Sequence, residues 1–224
     1  MIASEPGWLS MTEPTGAAAG LGKDALLDAA SVLFDEAGID AVSMNEIVRA
    51  SGHRNRSAIL YHFGSNDAVV RAVVERSMLD PDARRSQLLD ELLAGDPRPA
   101  VAAIATVVVQ PLTELLDSPE GRRHLRLLGQ LLSHPRLLAS AQAALRGNGS
   151  LARCADLVVD AAAHLPAHLR QERVALLVAF VMRAYADQAR LLDAAVAARP
   201  PLSGEDFTSH LVGLIVAILD APAP

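Results

Sequence analysis

The chain has 224 residues, of which 51% are hydrophobic and 21% are charged, and its formal net charge is −6. These values fit globular domains with a substantial core, and they exclude a polycation that binds nucleic acid through its overall charge. The single cysteine excludes an intramolecular disulfide. The chain has no apolar run near the roughly 18 residues of a membrane helix and no signal-like N-terminus, so we expect a cytoplasmic protein.

The first 22 residues are rich in glycine, alanine, proline and serine and show no periodicity. This composition predicts a disordered arm over residues 1–22, in which Trp8, the only tryptophan, would be exposed. From Lys23 to Ala37 apolar residues recur at helical spacing, and Gly38 follows as a terminator. The first helix is therefore predicted to begin at Lys23.

Two short helices joined by a tight turn are predicted between Ser43 and Asn66. Ser43 and Glu46 have the spacing of a capping box, in which each side chain accepts the backbone N–H of the other residue. Gly52 suits the left-handed residue that ends a helix, and Asn55 can cap the helix that follows.

The second of these helices has one apolar face and one face that could reach DNA. Ile59 and Phe63 are four residues apart and would pack inward. The opposite face carries side chains that can meet phosphates and base edges in a major groove. These side chains belong to Arg56, Ser57, Leu60, Tyr61 and His62.

The ordered motifs of this region resemble the N-terminal domain of the TetR/AcrR family of transcriptional regulators. The matching motifs are Leu27–Gly38, Ser43–Ile47, Ser51-Gly52 and Tyr61–Ser65. The resemblance implies an all-α protein that regulates transcription, most often as a repressor, without catalytic residues or a cofactor. It also implies a three-helix helix-turn-helix domain over residues 23–79, and a bundle over residues 80–224 that senses a small molecule and dimerises.

The resemblance places the DNA contacts on one surface of the N-terminal domain. Between Gly52 and Phe63 the chain has one residue more than the family spacing, so Leu60 aligns with the family tyrosine and Tyr61 follows it. Two alignments of the base contacts, one residue apart, therefore remain open. Asn66 stands where the family has a lysine, which predicts a weakened phosphate contact. The candidate DNA-binding residues are Ser43, Arg54, Asn55, Arg56, Ser57, Leu60, Tyr61, His62 and Asn66.

Every periodic segment after Ser65 has helical spacing, and none alternates as a strand would. Proline, glycine and serine mark most of the boundaries. Helices are predicted over residues 65–80, 82–93, 99–116, 118–133, 133–147, 150–165, 166–198 and 204–219.

The C-terminal bundle has few aromatic side chains. Beyond Asp82 they are Phe180, Tyr185 and Phe207, too few to stack a planar drug. The small-molecule effector is therefore predicted to be aliphatic or acyl in character, with a polar anchor for its head group. The alternative is that the basic cluster near Arg122 is only a solvated helix face. The candidate ligand-binding residues are Arg122, Arg123, His124, Gln130, His134 and Tyr185.

The last two helices are predicted to hold a homodimer together. The final helix has an apolar stripe that is too rich for a solvent-exposed face. The predicted seam contains Phe207, Leu211, Leu214, Ile215 and Ile218 from the last helix, and Leu177, Val181 and Leu192 from the helix before it.

Catalytic motifs are missing from the sequence: it has no phosphate-binding glycine loop and no nucleophile elbow. His164 and His168 have helical spacing, but Pro166 between them predicts two separate helices, so no metal site is predicted. Cys154 is predicted to be a buried apolar residue. The expected partners are double-stranded operator DNA, a small-molecule effector and a second copy of the chain. The competing classes are a helical enzyme and a ligand-independent DNA-architectural protein.

Overall fold

The computed structural model describes residues 16–52, 61–134, 136–138, 149–194 and 199–223. Nine α-helices and no β-strand lie within these ranges, which confirms the all-α prediction. The helices are α1 (Gly16–Ala37), α2 (Met44–Ala50), α3 (Asn66–Ser77), α4 (Leu79–Gly95), α5 (Val101–Leu115), α6 (Pro119–Leu132), α7 (Gly149–Ala161), α8 (Ala167–Asp193) and α9 (Gly204–Asp220). Trp8 and most of the helix predicted over 133–147 lie outside the described residues.

Two predicted boundaries near the N-terminus were wrong. Helix α1 begins at Gly16 and not at Lys23, so residues 16–22 belong to a helix and not to an arm. Three consecutive alanines, the best helix formers, offset the glycines in this segment. Helix α4 begins at Leu79 and contains Pro81 in its first turn, where a proline interrupts no hydrogen bond of the helix. The break predicted before Pro81 is present at Met78, between α3 and α4, but α4 begins at Leu79 and not at the predicted residue 82.

Serine side chains cap the start of four helices. Ser43, Ser65, Ser118 and Ser203 precede α2, α3, α6 and α9, and each accepts a backbone N–H from the first turn. A cap of this kind stabilises a helix by about 1 kcal/mol relative to alanine. The ends of helices were predicted less well: α7 ends at Ala161 rather than near residue 165, and α8 ends before the predicted residue 198, at residue 193.

One apolar core runs from the N-terminal helices into the C-terminal bundle. Helices α1, α2 and α3, together called the head, bury Leu26, Phe34, Ile47 and Val69. Helix α6 packs against α1 and α3 on one side and against α8 on another. A Cβ atom on Gly129 of α6 would lie 2.7 Å from the Cβ of a residue in α8, so these two helices meet almost backbone to backbone. The helices from α4 onward form the body.

A second, smaller apolar cluster lies between α4, α5 and α7. Leu89, Ile104, Val107 and Cys154 form its buried part. Burial raises the pKa of the Cys154 thiol, which disfavours the reactive thiolate. The prediction that Cys154 is buried is therefore confirmed.

Much of the apolar stripe of α9 packs inside its own protomer, which corrects part of the predicted dimer seam. The other predicted seam residues stay predictions, because Leu214 and Ile218 are half-buried and Leu192 of α8 is 39% exposed. Leu211 and Ile215 of α9 are buried against the body, as are Leu177 and Val181 of α8. On α8, Leu176 is 56% exposed. The exposed face of α9 instead contains His210, Gly213 and Ala217.

No helix in the described part of the chain is both long and apolar enough to cross a membrane. Among the same residues, no group of acidic, histidine or cysteine side chains is placed to hold a metal ion. His164 and His168 are both exposed.

Candidate DNA-binding surface and its link to the body

The first helix of the predicted helix-turn-helix begins with the capping box that the sequence indicates. The Glu46 N–H donates to Ser43 Oγ at 3.3 Å, and the Ser43 N–H donates to Glu46 Oε2 at 2.8 Å. The hydrogen bond from the Ser43 backbone is the main reason that the pKa of Glu46 is lowered. Ile47 and Val48 are buried and anchor α2 in the core.

The turn after α2 has the backbone that the glycine predicts. Gly52 has φ of 75°, in the left-handed region, and it follows directly on the last turn of α2. The residues after it, from 53 to 60, lie outside the described part of the chain. Five of the candidate DNA contacts fall there and remain proposals: Arg54, Asn55, Arg56, Ser57 and Leu60.

Tyr61 and Phe63 point in opposite directions at the end of the second predicted helix. Tyr61 is 87% exposed, whereas Phe63 packs against the core. The Phe63 ring centroid lies 5.9 Å from Lys23 Nζ. His62 is half-buried and makes an edge-to-face contact with Tyr61, with ring centroids 5.3 Å apart. Tyr61 is thus available to a partner outside the protein, and Ser43 is also exposed.

Asn66 has an internal contact that the sequence did not indicate. Its Nδ2 donates to the Val42 carbonyl at 3.1 Å, and the side chain is half-buried. This bond holds the start of α3 against the segment that leads into α2. Asn66 therefore helps to position the head, and its predicted weak phosphate contact remains a proposal.

A chain of ion pairs joins the head to the body through Arg126 of α6. Arg126 donates two hydrogen bonds to the Asp35 carboxylate of α1, from Nε at 2.8 Å and from Nη2 at 2.5 Å. Its Nη1 donates to Asp193 at the end of α8. Arg122, one turn earlier on α6, donates to the same Asp193 carboxylate at 2.6 Å and to the Leu116 carbonyl at 2.7 Å.

These contacts shift the ionisation of the groups that make them. The hydrogen bonds to Asp35 are the largest cause of the raised pKa of Arg126. Burial opposes ionisation of Asp193, but the hydrogen bonds from Arg122 and Arg126 outweigh it and lower the pKa of Asp193. This network could not be predicted from the sequence, because 91 residues separate Asp35 from Arg126 and 67 separate Arg126 from Asp193.

A second contact joins head and body beside an open groove of about 610 Å³. His134 Nε2 lies 2.9 Å from Asp40 Oδ2, and Arg136 pairs with the same carboxylate. The hydrogen bond with His134 is the main cause of the lowered pKa of Asp40. Gln130 and His134, two of the predicted ligand residues, line this groove together with Ala37, Gly38, Ile39, Asp40, Ala41, Ser133 and Arg136.

The other predicted ligand residues do not meet at that groove. Tyr185 is fully buried: its hydroxyl donates to the Val109 carbonyl at 2.8 Å and lies 2.7 Å from Thr113 Oγ1. Burial raises the pKa of this phenol. Burial also lowers the pKa of His124, which lies beside α3 near Arg76.

Two segments of the chain match known protein families. Residues 26–73 match the family described as bacterial regulatory proteins, tetR family, and residues 106–217 match the tetracyclin repressor-like C-terminal domain. The chain belongs to the TetR family. It is a DNA-binding transcriptional regulator, as the resemblance of its motifs predicted.

Solved structures of TetR-family proteins and related regulators share this fold. Native NalD, the secondary repressor of the MexAB-OprM multidrug efflux pump in Pseudomonas aeruginosa, is 21% identical over 88% of this chain and 96% of its own, with a TM-score of 0.60. FadR, a fatty acid degradation regulator from Bacillus halodurans, is 15% identical over 89% and 99%, with a TM-score of 0.59. AmtR from Mycobacterium smegmatis is 20% identical over 96% and 91%, with a TM-score of 0.56. No curated protein matches the chain significantly.

Replacing Arg126 with methionine should loosen the head from the body. The change leaves the largely buried Asp35 carboxylate without its partner, so we expect a loss of about 1–3 kcal/mol in unfolding free energy at pH 7, measured by urea denaturation. The exposed pair of Arg153 and Asp90 provides the control, and Arg153→Met should cost less than about 1 kcal/mol.

The pH dependence of this loss has a defined sign. The lowered pKa of Asp193 stabilises the fold above the ordinary carboxyl pKa of about 3.9, and this contribution disappears as pH falls through the lowered value. The difference between wild type and Arg126→Met should therefore shrink in acid. A difference that grows as pH falls would contradict this account.

Substitutions of Tyr61 and Tyr185 should have separate effects, the first on DNA binding and the second on stability. Tyr61→Ala should leave stability within about 0.5 kcal/mol of wild type but weaken DNA binding about 10-fold or more, if its hydroxyl contacts a phosphate. Tyr185→Phe should lower stability by about 1 kcal/mol and leave DNA affinity unchanged. Urea denaturation and fluorescence anisotropy with labelled duplex DNA measure the two effects. Wild-type DNA affinity in Tyr61→Ala would exclude Tyr61 from the interface.

Proposed function

We propose that this TetR-family regulator is a cytoplasmic repressor, and that it leaves its operator when a small aliphatic molecule binds the body. The observation that carries this proposal is the position of α6, which packs against the head through α1 and α3 and against α8 of the body. A ligand that binds one arrangement of these helices more tightly than another shifts the equilibrium between them. Because α6 is shared, that shift would change how the two heads of a dimer are spaced on DNA.

We also propose that two domains have separate roles. Residues 23–79 would bind DNA and residues 80–224 would bind the ligand and the second protomer. Ser43, Tyr61, His62 and Asn66 remain proposed DNA contacts. Ser43 at the start of the helix-turn-helix and Tyr61 at its end are exposed, and the other two are half-buried. The five candidates outside the described residues complete the proposed surface.

An aliphatic effector fits the way in which the body uses its aromatic side chains. Tyr185 and Phe207 pack edge to face, with ring centroids 5.2 Å apart, and both are buried. Phe180 is half-buried and packs against the core. A planar ligand would find few aromatic faces there, whereas leucine, isoleucine and valine side chains suit an alkyl chain.

A homodimer is typical of the family, and we propose that it forms through the exposed faces of α8 and α9. The buried stripe of α9 is already used within the protomer. Gly213 and Ala217 on the exposed face are small and four residues apart, which lets a second helix approach closely, and Leu176 on α8 adds exposed apolar surface.

Acidic substitutions on this face should separate the protomers. We expect Leu176→Asp with Ala217→Asp to give a folded monomer, because the substituted side chains are exposed in the single chain but would place like charges together at the seam. Leu79, which is 66% exposed on α4, provides the control, and Leu79→Asp should remain dimeric. Light scattering after gel filtration measures the mass, and a dimer from the double variant would refute this interface.

The function itself is tested by DNA binding. Fragments of the source genome would be selected with purified protein, and the bound site mapped by footprinting. Arg54→Ala with Arg56→Ala should abolish selective binding, and the slope of log K against log salt should become less steep by about one unit for each lost phosphate contact. Arg153→Ala, far from the head, is the control.

Three outcomes would decide between the candidate functions. Unchanged selective binding by the double arginine variant would exclude these residues from the interface. No selective, salt-dependent duplex binding by wild type would favour a helical protein with another role, such as an enzyme. A footprint that no small molecule alters would favour a ligand-independent DNA-binding protein.

A further inference from the structure

Arg85 of α4 is fully buried between three helices of the body. Its Nε donates to the Val108 carbonyl of α5 at 3.4 Å, and its Nη1 donates to Ser150 Oγ of α7 at 3.1 Å. Both acceptors are neutral. Its Nη2 atom is also buried and has no acceptor in the part of the chain that the structure describes.

The charge of Arg85 has no direct counter-ion among the described residues. Asp82 is near, but its carboxylate accepts the Ser150 N–H at 3.0 Å and the Ser150 hydroxyl, so Ser150 stands between the two charges. Several less buried arginines pair directly with carboxylates, and Arg126 has two of them. A guanidinium remains protonated when buried, so its charge and its free N–H donors need a partner.

An aliphatic wall continues from Arg85 along the same face of α4. Leu88, Leu89 and Leu92 follow it by three, four and seven residues, which is the spacing of one helix face. They pack in the small cluster with Ile104 of α5 and Cys154 of α7. A cation therefore stands at one end of an apolar layer whose described members include no aromatic side chain.

We propose that Arg85 anchors the carboxylate of an aliphatic monocarboxylate that binds between α4, α5 and α7. The carboxylate would accept hydrogen bonds from Nη1 and Nη2 in the two-pronged geometry typical of arginine. The alkyl chain would lie along Leu89 and Ile104. This inference rests on the proposed function, because it names the chemical class of the effector.

Arg85 has a free donor, whereas two of the polar anchors that the sequence suggested are already bound within the protein. Arg122 is occupied by Asp193 and the Leu116 carbonyl, and Tyr185 by Val109 and Thr113. A ligand at Arg85 would compete with one hydrogen bond, the one to Ser150 Oγ. That bond joins α4 to the first turn of α7, so binding there would loosen one helix contact in the body.

The test compares ligands that have different head groups, and it compares wild type with arginine variants. It uses the full-length protein without DNA. Decanoate, decanol, acetate and chloride would be titrated by calorimetry and by thermal denaturation, since a bound ligand raises the melting temperature. Wild type should bind decanoate and be stabilised by it, and should not respond to the other three compounds. Arg85→Met should bind decanoate about 10- to 100-fold more weakly, because charge-assisted hydrogen bonds are lost.

Arg84 is the matched control, because it is the preceding residue of the same helix but pairs with Glu114 near the surface. Arg84→Met should bind decanoate as wild type does. If Arg85→Met does not fold, Arg85→Lys keeps the charge but loses the two-pronged geometry and should show a smaller loss of affinity.

Several results would overturn the inference. Equal binding of decanoate and decanol to wild type would exclude a carboxylate anchor, and equal responses to acetate or chloride would exclude the alkyl chain. Wild-type affinity in Arg85→Met would exclude Arg85. If a different compound releases the protein from DNA while decanoate does not bind, the inference fails and the proposed function stands. If decanoate binds as expected but no compound alters DNA binding, the proposed function fails and the site at Arg85 remains.

Discussion

The bidentate ion pair between Arg126 and Asp35 fixes the head relative to the body. The guanidinium also reaches Asp193, so a single side chain of α6 contacts the first and the eighth helices. The apolar contacts of α6 with α1 and α3 would hold the surfaces together, but they are not directional. The hydrogen bonds of Arg126 to two carboxylates are directional. Any change in the angle between head and body must therefore break or bend these bonds.

Local signals in the sequence predicted the helix starts well and the long-range contacts poorly. A serine three residues before an available N–H is a property of four consecutive residues, so the caps at Ser43 and Ser118 could be predicted without knowing the fold. The pairing of Asp35 with Arg126 depends on how α1 meets α6, which no short window contains. For the same reason the stripe of α9 was correctly predicted to be apolar, but its buried residues Leu211 and Ile215 were assigned to the wrong partner, because periodicity does not say what covers a face.

The arginines of the body show why residue type alone did not identify a ligand site. Sequence reasoning favoured the cluster at Arg122 because several cations lie close together, yet Arg122 and Arg126 are paired with internal carboxylates. Arg85 stands among aspartates, leucines and another arginine in the sequence, and nothing local marks it. Its lack of a counter-ion is visible only when the helices that surround it are in place. A buried cation without a counter-ion indicates a binding site for an anion, and only the tertiary structure shows that the counter-ion is missing.

The inward stripe of α9 has a consequence for how the molecule assembles. Since Leu211 and Ile215 complete the core of a single protomer, association would not have to finish the folding of either partner. Monomer and dimer would then be two folded species in a reversible, concentration-dependent equilibrium, unlike obligate dimers whose subunits unfold when separated. Occupancy of DNA would rise with the square of the protomer concentration when monomers predominate. The cellular abundance of the protein would thereby act as a control on transcription in addition to any small molecule.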